Sequence, residues 1–163
     1  MATQMLRQTP IQYELKRTNR FTLEFPTELN IESWLVQMVK RPEMKINSVP
    51  IDYMNTKFFV AGKYEWGEFE VEFIDPIGPS ATQKINEWVH LHAESLTGRM
   101  GYALSYCKDL ILKSLDPVGV GVEKWVLYQC MIKNVDFGNA SYEDDGIKKV
   151  KVTLQPNLCE LSY

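Results

Sequence analysis

The feature that most constrains this chain is the stretch from Val49 to Asp75, and within it the run Glu68-Phe69-Glu70-Val71-Glu72-Phe73. Charged and bulky apolar side chains alternate there without a break. Period two is the mark of a strand with one buried and one wet face. Phe69, Val71 and Phe73 form the first face, Glu68, Glu70 and Glu72 the second. The ribbon before it obeys no such rule. It opens at Pro50, pauses at Ala61-Gly62, and its Tyr53, Met54, Phe58, Phe59 and Val60 include adjacent apolar residues. Both of its faces therefore need covering. One domain can cover both by folding over them, but a ribbon with two sticky faces is more often a projecting element that waits for a second chain.

The same reading extends along the chain. Arg20 to Phe25 alternates, with Phe21, Leu23 and Phe25 on one face, until Pro26 stops it. Trp34 to Val39 is a more apolar strand ended by Arg41-Pro42, and Asp109 to Leu115 is followed by a turn at Asp116-Pro117-Val118-Gly119. Glu123 to Val135 is long. Strict alternation puts Trp125, Leu127 and Met131 on one side of it and Val126, Tyr128, Cys130 and Ile132 on the other, so it belongs in the middle of a sheet. After a turn ending in Asp145-Gly146, Ile147 to Leu154 buries Val150, Val152 and Leu154. One segment has helical spacing instead. Ser80 stands at an N-cap with Gln83 three residues on, and Ile85, Trp88, Val89, His92 and Leu96 recur at threes and fours before Gly98. The expectation is a mainly β chain: an antiparallel β-barrel or sandwich of seven or eight strands, with one α-helix over Ser80–Leu96 and a long projecting hairpin. Residues 1–18 form an N-terminal arm interrupted by Pro10, and residues 19–163 form a single domain.

Pro50-Ile51-Asp52-Tyr53-Met54-Asn55-Thr56-Lys57, followed by Val60-Ala61-Gly62, resembles the long hairpin of contractile-phage tail tube proteins. In that family a similar run precedes an alternating strand and then a helix containing a Trp, here Asn86-Glu87-Trp88. The order of elements matches over about residues 15 to 160. The resemblance implies a fold shared with type VI secretion tubes, in which hexameric rings stack into a hollow conduit for DNA and the tape-measure protein. No cofactor and no membrane are expected. The partners it implies are further copies of the chain, the sheath protein, baseplate tube proteins and the tape measure, in a virion tail assembled in the host cytoplasm. Carried onto this sequence, the ring-stacking hairpin comprises Pro50, Tyr53, Met54, Asn55, Lys57, Phe58, Phe59, Val60 and Gly62. Glu68, Glu70 and Glu72 are candidates for lining the lumen, because a conduit that admits DNA must not hold it; the competing reading places this face outside, toward the sheath or solvent. A baseplate or tube-initiating protein of the same fold is an alternative, as is a non-assembling β-barrel binding module.

Composition excludes several classes. A net charge of −3 over 163 residues advertises no global nucleic-acid footprint. Cys107, Cys130 and Cys159 are odd in number and widely spaced, so packed thiols are expected rather than a disulfide framework or a zinc site. No apolar block opens the chain and no run approaches the ~20 apolar residues of a membrane span, so a soluble cytoplasmic product is expected. Catalytic chemistry finds no purchase. His90 and His92 project roughly 200° apart on a helix, with His92 on the apolar face as a satisfied imidazole and His90 in solvent. Gly119-Val120-Gly121 lacks the third glycine and the strand-to-helix context of a dinucleotide site and reads as a turn. No catalytic, metal or cofactor residue is assigned, and an enzyme is not expected.

Overall fold

The computed structural model describes residues 14–163, so most of the expected arm lies outside them. Nine strands are described: β1 (Phe21–Glu24), β2 (Val36–Val39), β3 (Met44–Tyr53), β4 (Thr56–Trp66), β5 (Phe69–Ile74), β6 (Lys108–Leu115), β7 (Gly121–Asp136), β8 (Lys149–Gln155) and β9 (Leu158–Ser162). Seven of them make one antiparallel sheet in the order β1-β6-β7-β8-β5-β2, with β9 also paired to β7; β3 and β4 form a separate two-stranded sheet. The large sheet curls until its two edges, β1 and β2, flank a common groove. The result is an open barrel.

The alternating runs fold as their period dictates. Phe69, Val71 and Phe73 of β5 and Val150, Val152 and Leu154 of β8 are buried, and the two strands pair in continuous register from Phe69–Leu154 to Ile74–Lys149. Leu23, Leu35, Leu110 and Leu127 close the same core. Helix α1 (Ala81–His92) lays Ala81, Ile85 and Trp88 into it. Its N-terminus is capped twice. Ser80 Oγ accepts from the Gln83 N–H at 3.4 Å, and Asp75 accepts from the Thr82 N–H (3.1 Å), the Thr82 hydroxyl (2.6 Å) and the Ser80 hydroxyl (3.1 Å). Burial pushes the Asp75 carboxyl up, but these hydrogen bonds together outweigh it and hold the group below the usual carboxylate range.

Five expectations are corrected. First, β7 does not alternate throughout. Leu127 and Cys130 are both buried, although strict alternation puts them on opposite faces. The register with β6 slips between Leu110–Leu127 and Lys108–Cys130. Gln129 takes φ 52° there, and its N–H bonds Asp109 Oδ1 at 2.8 Å. This bulge turns β7 so that its first half pairs with β6 and β9 and its second half, Met131–Asp136, pairs with β8. Second, the helix stops at His92 rather than Leu96. Ala93 turns extended and bridges Met100, leaving Leu96 fully exposed, and Gly98 (φ 70°) serves the intervening turn, not a helix end. Third, a second short helix, α2 (Ala103–Tyr106), occupies a segment for which none was expected. Fourth, Trp34 lies in a 3-10 turn and Ile147 in a loop, both exposed, so β2 and β8 begin two residues late. Fifth, β9 is added after Pro156. The turn assigned to Asp116–Gly119 is present, with Gly119 at φ 89° and Asp116 Oδ1 accepting from the Val118 and Val120 N–H groups.

Candidate functional site

The hairpin β3–β4 stands away from the core. No residue from Met44 to Ala61 is buried. Its reversal is a two-residue turn at Met54-Asn55, with Met54 at φ 51° and the Thr56 hydroxyl bonding the Tyr53 carbonyl at 3.0 Å. Register then sorts the side chains. Tyr53 opposes Thr56, Ile51 opposes Phe58 and Val49 opposes Val60 on one face; Asp52–Lys57, Pro50–Phe59 and Ser48–Ala61 lie on the other. Phe58 and Phe59 therefore point to opposite sides of one ribbon, 55% and 67% exposed. On the first face the Tyr53 and Phe58 rings lie 6.3 Å apart. The second is continued by Ile46 and Tyr64, both exposed.

The pause at Ala61-Gly62 is a β-bulge. Ile46–Tyr64 gives way to Ser48–Ala61, so that Gly62 and Lys63 together face Asn47. A Cβ on Gly62 would sit 3.0 Å from both the Asn47 carbonyl oxygen and Val49 Cγ2, which explains the glycine. The base of the hairpin is tied to the barrel. The Trp66 ring meets Trp125 edge-on at 6.3 Å and the Gln155 amide donates to the Trp66 carbonyl at 2.7 Å, while the Gly67 N–H, donating to the Glu43 carbonyl at 2.7 Å, closes the hairpin's own two strands. The hairpin is thus anchored at one end and bare over the rest. Of the residues expected to stack rings, Pro50, Tyr53, Met54, Asn55, Lys57, Phe58, Phe59 and Val60 share this exposed ribbon, and Gly62 shapes it.

Glu68, Glu70 and Glu72 share the outer side of β5, but they are not an uncompensated acidic patch. Glu72 pairs with Lys149 at 2.7 Å and Lys151 at 4.0 Å, and Glu68 pairs with Lys133. Glu70 has no ion pair among the described residues and is exposed. Three carboxylates against three ammonium groups leave this face balanced in charge. Lys149 and Lys151 were visible in the sequence as outward residues of β8, but their register with β5 was not, and Lys133 reaches Glu68 from β7.

His92 holds a structural post. Its Nε2 accepts from the Ile132 N–H at 3.0 Å, while Nδ1 lies 3.0 Å from the Trp88 carbonyl, so the neutral ring donates at Nδ1 and accepts at Nε2. Tyr106 stacks on it with centroids 4.4 Å apart, and Trp88 Nε1 donates to the Tyr106 carbonyl at 2.8 Å. Burial lowers the His92 pKa, opposed by its bond to Trp88. The ring closes the side of β7 that β6 leaves open beyond Cys130. His90 is exposed. Burial pushes the Cys159 thiol up to about 11 and the Cys130 thiol higher still, so neither is a nucleophile. No group of His, Cys, Asp and Glu side chains among the described residues is placed to hold a metal ion.

No protein-family profile and no curated protein sequence matches the chain. Solved structures do. It superposes on a chain of an extracellular contractile injection system in its PVC sheath/tube terminator with a TM-score of 0.74 at 11% identity, covering 94% of this chain and 99% of that one. The chain has the contractile tail tube fold. A chain from the anti-feeding prophage cap gives 0.72 at 12% identity over 95% of this chain and 99% of that one. Hcp1 from Flavobacterium johnsoniae gives 0.56 at 10% identity over 88% and 94%. At these identities the fold is what is shared, and the first two matches cover almost the whole chain.

Proposed function

We propose that this chain is a structural, non-enzymatic subunit of a contractile tail or injection tube, in which rings of six copies stack into a hollow conduit. The observation that carries this reading is the hairpin β3–β4. It presents Ile51, Tyr53 and Phe58 on one side and Ile46, Phe59 and Tyr64 on the other, all exposed in the single chain. Contiguous apolar surface of this kind marks an interface. A ribbon with two such sides needs two covering surfaces, which neighbouring copies in a stacked ring provide. A ring requires a head-to-tail contact that closes by rotation, and a tube requires a further contact that does not close. The hairpin supplies the contact between rings. The sheath, baseplate tube proteins, tape measure and transiting DNA are the remaining partners of such a conduit, in a virion tail or a related injection particle.

Glu68, Glu70 and Glu72 remain the candidates for the channel wall. With Lys133, Lys149 and Lys151 interleaved, the wall they form is neutral overall, which satisfies the requirement that DNA pass without adhering. The binding-module alternative loses support from the filling of the barrel interior by Phe69, Phe73, Trp88, Leu110 and Leu127. Size exclusion and negative-stain imaging of the purified full chain test the reading. Rings and tubes are expected; single rings that never stack indicate a tube-initiating or terminal subunit, and a strict monomer at all concentrations refutes assembly.

A further inference from the structure

The groove between β1 and β2 is a second unfinished surface. Its floor is apolar, formed by Phe21, Met38, Val39 and Leu112, and its rim is basic, formed by Lys16, Arg17, Arg20 and Arg41. Two of these cations are already engaged: Lys16 with Glu123, and Arg20 with Glu14 at 3.2 Å. Arg17 and Arg41 are exposed and form no ion pair among the described residues, although Arg41 lies near enough to Glu123 to help, after Lys16, to hold its carboxyl below the usual range. β1 and β2 are also the two edges of the sheet.

The β7–β8 loop, residues 137–148, has the complementary character. Glu143, Asp144 and Asp145 are consecutive and exposed, and none forms an ion pair among the described residues. Tyr142 beside them is fully exposed. Two short turns hold the acidic tip, with the Glu143 N–H bonded to Ser141 Oγ at 3.2 Å and the Gly146 N–H to Asp144 Oδ1 at 2.9 Å. Loop and groove belong to different parts of the barrel: the loop joins two interior strands, while the groove separates the two edge strands.

We propose that the acidic β7–β8 loop of one copy docks in the basic β1–β2 groove of the next, with Tyr142 on the apolar floor and the carboxylates against Arg17 and Arg41. This contact deepens the tube reading and rests on it. Two different surfaces of one chain that recognise each other make a head-to-tail contact, the kind that closes a ring by rotation. It is separate from the hairpin contact between rings. The chain's own N-terminal segment is the poorer occupant on charge grounds. Residues 1–13 contain Arg7 and no Asp or Glu, so they bring no carboxylate to a basic rim.

Charge reversal and exchange test the contact in the full-length chain, with circular dichroism confirming that each variant folds. The groove variant is Arg17→Glu with Arg41→Glu. The loop variant is Glu143→Lys with Asp145→Lys, sparing Asp144 because it holds the turn. Each variant alone should raise the concentration needed for ring formation by about tenfold or more, since like charges face each other across the contact. The two combined should restore assembly to near the wild-type level. Wild-type assembly should also weaken as salt shortens the screening length. Wild-type tubes indifferent to both reversals, or a combination no better than its worse parent, would overturn this contact while leaving the tube reading intact. A groove effect that disappears when residues 1–13 are deleted would assign the groove to the chain's own arm and equally overturn it. A wild-type chain that never leaves the monomer refutes both readings.

Discussion

Phe58 and Phe59 offer the sharpest test of what the hairpin does, because register places them on opposite faces of the same ribbon. With 55% and 67% of each side chain exposed in the free subunit, roughly half to two-thirds of the ~1.5–3 kcal/mol of full burial is still to be gained, or about 1–2 kcal/mol per side chain. In the proposed ring of six copies, sixfold repetition would multiply this to about 6–12 kcal/mol at each ring junction, so losing one Phe should weaken ring addition by at least about 10⁴-fold. A carboxylate in its place adds a desolvation cost of its own. Phe58→Asp and Phe59→Asp should therefore each suppress tubes, measured by sedimentation and negative stain. Neither should shift the melting temperature of the free subunit by more than a degree or two, because neither side chain touches the core. Tubes of normal length from the doubly charged variant would refute the stacking assignment. A large fall in the melting temperature would show instead that the ribbon packs on its own barrel.

Trp88→Ala should destabilise the subunit by about 3–5 kcal/mol, because the indole is 1% exposed and also holds Tyr106 through its N–H; a denaturant titration measures it. His92 makes stability depend on pH. Its folded pKa is depressed, chiefly by burial, so the unfolded chain binds the proton first; the stabilisation is present above the unfolded value of about 6.5 and falls as pH drops below it. Melting curves of wild type and His92→Gln between pH 7.5 and 5 should converge toward the acid end, and parallel curves would refute the role. Glu70→Lys should leave folding unchanged and slow DNA ejection from assembled particles in a salt-relieved manner if the β5 face lines the channel. The same change at Glu72 should cost stability first, because it sets a third ammonium group beside Lys149 and Lys151.

Where one physical rule governs a segment, the sequence was sufficient. The faces of β5 and β8 and the buried stripe of α1 all follow from periodicity, since each has a single apolar side. The hairpin was legible for the opposite reason: adjacent Phe58 and Phe59 cannot both face one core. What stayed hidden depends on partners distant in the chain. The bulge at Gln129 is set by Asp109, twenty residues earlier, and without it the faces of β7 are misassigned. Leu96 continues the helical spacing, yet Ala93 leaves the helix to bridge Met100. Pro156 reads as the end of a strand, but it only interrupts the edge that β8 and β9 jointly present to β7. The charge balance at Glu68 and Glu72 was equally unreadable, because it rests on lysines 65 and 77 residues away in the chain.

The way the hairpin is anchored bears on when a tube can begin to form. A two-stranded ribbon is marginally stable alone in water, and among the described residues this one is tied to the barrel at its base, where Trp66 meets Trp125 and Gln155. Beyond the bulge at Gly62 its own contacts are cross-strand pairs and the exposed Asp52–Lys57 ion pair at 3.7 Å, which contributes at most about 1 kcal/mol. On the tube reading, ordering the outer strands draws on the free energy of assembly. In the proposed assembly a completed ring would change the balance, because six copies would present their surfaces at once. The outer hairpin amides, from Ser48 to Ala61, should exchange with solvent orders of magnitude faster in the monomer than the core amides of β5 and β8, and become protected in tubes. Tube growth should accordingly show a lag that preformed rings abolish. Hairpin amides as protected in the free subunit as those of β5 would mean that the ribbon is already stable alone, and the lag would then need another cause.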